Sequence, residues 1–61
     1  MSVFEAEAQN FEMWMRDIVA DEDLDIEMTH RAMDNLMCET LEKFGCHEGV
    51  KIFRETTKWY A

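Results

Sequence analysis

The chain has no proline, and its two glycines, Gly45 and Gly49, fall in one short stretch. So few breakers leave long helices uninterrupted. Serine occurs once, at Ser2, where Glu5 three residues on completes a capping box, so its hydroxyl is spoken for. No glycine-rich loop suited to a phosphate is present. No apolar run approaches the roughly 18 residues that a membrane span needs. The opening Met-Ser-Val-Phe-Glu has neither the basic stretch nor the apolar stretch of a secretion signal. These absences lead us to expect a cytoplasmic protein, in which the two cysteines, Cys38 and Cys46, are free thiols.

Positive charge is the other scarcity. Six Lys and Arg stand against fourteen Asp and Glu, a formal net charge of −8 in 61 residues. Eight of the acids lie in residues 1–25 (Glu5, Glu7, Glu12, Asp17, Asp21, Glu22, Asp23, Asp25), with Arg16 as the one base there. A mildly basic tail follows, with Lys51, Arg54 and Lys58 against two acids in residues 46–61. Such a body repels nucleic acid and attracts basic protein surfaces. Three bases are too weak a footprint for a helix-turn-helix DNA reader, and they are expected to form a solvated face.

Apolar residues make up 48% of the chain, enough for a folded single domain over 1–61. At this length the core is marginal and supplies no more than about 3–5 kcal/mol. Three separate apolar stripes of helical period predict an all-α fold with helices at 3–20, 26–44 and 48–60. In the first, Phe4, Ala8, Phe11, Met15, Ile18 and Val19 share a narrow face. Asp21-Glu22-Asp23 opposes the macrodipole at that helix's end but suits the start of the next, with Asp25 or Asp23 as N-cap. The second stripe holds Ile26, Met33, Leu36, Met37, Leu41 and Phe44, and Gly45 follows as a left-handed stop. The last segment is rich in strand formers, but its charges gather on one side only in a helix, with Val50, Phe53, Thr57 and Tyr60 on the other. The expected core is Phe4, Phe11, Met15, Ile18, Met33, Met37, Leu41, Phe44 and Phe53.

His30, Asp34 and Cys38 form a slanting stripe, and Cys46 and His47 follow the glycine. They are zinc ligands by type, but the seven residues between the cysteines and the lack of a CxxC or HxxxH pair make ordinary side chains the better reading. We expect no metal and no cofactor. A three-helix chain of this size is also expected to lack the concave pocket of about 300 Å³ that small-molecule sites require, so no enzyme activity and no small-molecule substrate are expected.

The function that remains to be expected is that of an interaction protein. Methionine is unusually frequent, with six residues, and Met13 and Met28 fall outside the stripes; Trp14 and Trp59 flank theirs. Flexible methionines and tryptophans suit adaptable binding surfaces. The expected partner-binding residues are Glu5, Glu12, Met13, Trp14, Asp17, Asp21, Glu22, Asp23, Asp25 and Trp59. The expected partner is a larger basic protein, blocked or recruited as carboxylates stand in for nucleic-acid phosphates. Small phage proteins that disarm nucleic-acid machinery offer an analogy of size and charge. The alternative is a structural, self-assembling helical protein, and a homodimer is expected on either reading because apolar residues lie on more than one side. A metal-stapled domain is the outsider.

Overall fold

The computed structural model describes residues 2–56. Three helices account for nearly all of them: α1 (Val3–Ala20), α2 (Ile26–Lys43) and α3 (His47–Glu55). The domain is all-α, with two long helices and a shorter third, and no strand occurs among the described residues.

Local chemistry sets each boundary. Ser2 stays extended, and its Oγ accepts the Glu5 N–H at 3.1 Å, starting α1. Asp21 ends α1 and folds the turn: its Oδ1 accepts the Asp23 N–H at 3.0 Å, an Asx turn that satisfies an otherwise free donor. Asp25 is the N-cap of α2, accepting the Met28 N–H at 2.7 Å. The acidic run is therefore partly structural, since two of its carboxylates hold the turn.

α2 stops in a Schellman arrangement. Cys46 N–H donates to the Leu41 carbonyl at 3.1 Å, and Gly45 N–H donates to that of Glu42 at 3.0 Å. Gly45 sits at φ 90°, in the left-handed region. A Cβ there costs about 1–2 kcal/mol in most residues. Gly45→Ala is therefore expected to lower the melting temperature by roughly 4–8 °C for each kcal/mol lost, whereas Gly45→Asn should lose less. Thermal melts followed by circular dichroism check both.

α3 ends earlier than its periodicity predicts. Thr56 is extended, its N–H donating to the Phe53 carbonyl and its Oγ1 to that of Ile52 at 2.8 Å. A threonine hydroxyl that bonds back along the helix competes with continuation. The rest of the expected third helix, 57–60, lies outside the described residues.

The helices lie side by side. α2 is central, touching α1 on one side and α3 on the other, while α1 and α3 do not touch. The extents are 37 × 29 × 11 Å, so the molecule is much thinner in one direction than in the other two. The radius of gyration is 12.9 Å, against about 10.5 Å for a compact chain of this length. The molecule is one layer of helices, where a stable domain normally has two.

A single layer reverses the expected core. Only Leu36, Cys38 and Val50 are buried among the described residues. Phe11, Met15, Ile18 and Met33 are half-buried, and Phe4, Met37, Leu41, Phe44 and Phe53 are exposed. The apolar stripes meet only in part, as where Phe4 stacks on Phe44, and much of each stays exposed on one side of the layer.

Candidate interaction surfaces

The side on which each residue falls follows from helical phase, about 100° per residue. On α2, the edge toward α1 carries Thr29, Leu36, Thr40 and Lys43. The edge toward α3 carries Asp34, Cys38 and Glu42. Between these edges, on one side, lie Ile26, Met33, Met37, Leu41 and Phe44; on the other lie Met28, Asn35 and Glu39. The antiparallel α1 brings Phe4, Ala8, Met15 and Val19 to the same side as Met37 and Leu41. The Phe4 and Phe44 rings confirm this register, stacking at 5.3 Å between centroids. From α3, Phe53, Gly49 and Cys46 join the same side, where they close an apolar groove of about 200 Å³ against Met37 and Leu41. One broad side of the layer is therefore apolar.

Ion pairs lace the edges between helices. Lys43 Nζ reaches Glu7 Oε2 at 3.1 Å and lies 5.2 Å from the centre of the Trp14 ring, tying α1 to α2. Arg54 donates to Asn35 Oδ1 at 3.1 Å and pairs with Glu42 at 3.5 Å, tying α3 to α2. Arg54 is exposed, as expected, and its head also reaches across to α2. Arg16–Glu12 at 3.1 Å and Arg31–Glu27 at 3.6 Å are exposed pairs within a helix, worth about 0.3–0.5 kcal/mol each.

The expected partner-binding residues divide accordingly. Glu5 and Glu12 lie on the outer edge of α1, away from α2. Met13 and Asp17 lie on the side of the layer opposite the apolar one, and both are exposed. Asp21, Glu22, Asp23 and Asp25 are exposed at the end of the layer, where α1 turns into α2. These residues form one acidic rim with Met13 beside it. Trp14 is set apart, since its phase turns it toward α2 and Lys43 lies over its ring. Trp59 lies outside the described residues. Lys43 is the residue that sequence reading missed; its signal was a lone base in the last turn of α2, where the helix dipole favours it.

Cys38 is buried, Cys46 is exposed, and both are unbonded. Among the described residues no group of three or more His, Cys, Asp or Glu converges as metal ligands would. Hollows of about 620 Å³ (Val3, Phe4, Glu7, Lys43, Phe44) and about 350 Å³ (Glu42, His47, Val50, Lys51, Arg54, Glu55) exceed the volume that the sequence led us to expect. Size therefore does not exclude a small ligand. The first hollow holds the Glu7–Lys43 ion pair among apolar side chains, and the second holds the Glu42–Arg54 pair. No helix among the described residues is long and apolar enough to cross a membrane.

Comparison of the chain with family models, with curated proteins and with solved structures finds no match to any of them.

Proposed function

We propose that this chain is a non-enzymatic protein-binding module whose acidic rim docks on a basic surface of a larger protein, such as one that holds nucleic acid. The observation that carries this reading is the rim itself. Glu5, Glu12, Asp17, Asp21, Glu22, Asp23 and Asp25 are all exposed, and Arg16 is the one base in that part of the chain. Met13, half exposed beside Asp17, adds an adaptable apolar anchor. Docked there, the module would exclude nucleic acid from the partner or recruit the partner elsewhere.

Rim charges govern encounter rate and salt response, whereas buried anchors govern dissociation. Asp23→Lys, which keeps the Asp21 and Asp25 caps, is expected to slow association with the captured partner, most strongly at low salt. Met13→Ala is expected to speed dissociation. The test is capture from the native host, repeated at rising salt, with rates then measured on the purified partner. An acidic partner, a salt-independent affinity, or a shift of duplex DNA by the protein alone would each overturn the reading.

A further inference from the structure

We infer that the apolar side of the layer is covered by a second copy of this chain, giving a two-layer dimer with both acidic rims facing outward. This goes beyond the docking reading, because it concerns the opposite side of the molecule and does not depend on it.

The first argument is exposure. Phe4, Met37, Leu41, Phe44 and Phe53 lie on one side of the layer and are 68%, 46%, 46%, 45% and 38% exposed, a contiguous apolar patch of the kind that marks an interface. Face-to-face pairing also supplies the second layer that a single sheet of helices lacks.

The second argument is charge. The side bearing Phe4, Met33, Met37, Leu41, Phe44 and Phe53 is mostly apolar, with Asp34 lining the groove at its α3 edge, and offers a basic protein little to pair with. Two copies carrying −8 each could not pair through their acidic rims. Through the apolar sides, the rims are directed apart and the dispersed repulsion is screened by salt. A second copy fits this side, and a basic partner fits the other.

The two interactions consequently respond to salt in opposite directions. Dimerisation should strengthen as salt rises, and docking on a basic partner should weaken. Sedimentation equilibrium of the full chain across the micromolar range, at low and high salt, is expected to show a mass moving from 7.3 kDa to twice that, sooner at high salt. Met37→Glu places an unpaired carboxylate on the covered side and is expected to weaken dimerisation about a hundredfold or more. Met28→Glu, on the opposite side, should leave it within about threefold, as expected of a charge left in solvent. Should Met37→Glu fail to fold, the wild-type melting temperature still decides, because it must rise with concentration if a dimer forms. A mass of 7.3 kDa throughout, a melting temperature independent of concentration, or dissociation caused by Met28→Glu instead of Met37→Glu would overturn the inference. Loss of basic-partner capture with the dimer intact would overturn only the docking reading.

Discussion

Leu36→Ala is expected to leave most of the chain unfolded at physiological temperature. Leu36 is one of three buried residues among those described, and helical phase sets it on the α2 edge shared with Lys43, whose side chain reaches Glu7 of α1. Removing a buried leucine side chain costs about 2–5 kcal/mol, because transfer energy is lost and the cavity closes only in part. A domain this small has about 3–5 kcal/mol in all, so the substitution takes most or all of it. Phe4→Ala offers the contrast. Phe4 is 68% exposed, and its ring stack with Phe44 is worth about 0.5–1.5 kcal/mol beyond area, so a single chain tolerates its loss far better. Urea titrations of both variants test this. A Leu36→Ala midpoint close to wild type would mean that the α1–α2 contact is not the one described.

Val50→Asp is expected to release α3 while the α1–α2 hairpin persists. Val50 is buried, and among the described helices α3 touches only α2. A carboxylate at that position is desolvated without a partner and shifts the balance toward detachment. The exposed Arg54 pairs with Glu42 and Asn35 are worth too little to hold the helix, about 0–1 kcal/mol each. Once free, a nine-residue helix is too short to persist in water. The helical circular dichroism signal should fall by about the share of α3, nine of the 45 residues in the three helices. An unchanged signal would contradict the account, and complete unfolding would show that α3 is needed for the hairpin.

The helices themselves were legible in the sequence because their signals are local. Ser2, Asp25 and Gly45 each act within one turn, and each does in the fold what its chemistry predicts. Burial was not legible. The stripe on α2 from Ile26 through Met37 to Phe44 says which side is apolar; it does not say that a neighbouring helix of the same chain covers it. Here the neighbours sit at its flanks, so Leu36 and Cys38, near the edges of the stripe, are buried while Met37 between them is exposed. The acids of the rim are exposed, and the cap roles of Asp21 and Asp25 set limits on which of them can be exchanged without loosening the turn. The Lys43 contact with the Trp14 ring was not legible, because the two residues are distant in sequence.

The division of the molecule into a covered apolar side and an open side opposite it has natural reporters. Met13, Met28 and Met37 are 50%, 49% and 46% exposed in a single chain, so a lone chain in dilute peroxide should oxidise all three at similar rates. Met37 lies on the apolar side and the other two lie opposite. Mass spectrometry of purified protein, oxidised at rising concentration, is expected to show Met37 becoming several-fold slower than Met13 and Met28, with the difference vanishing on dilution. Equal rates for all three methionines at every concentration would contradict the account.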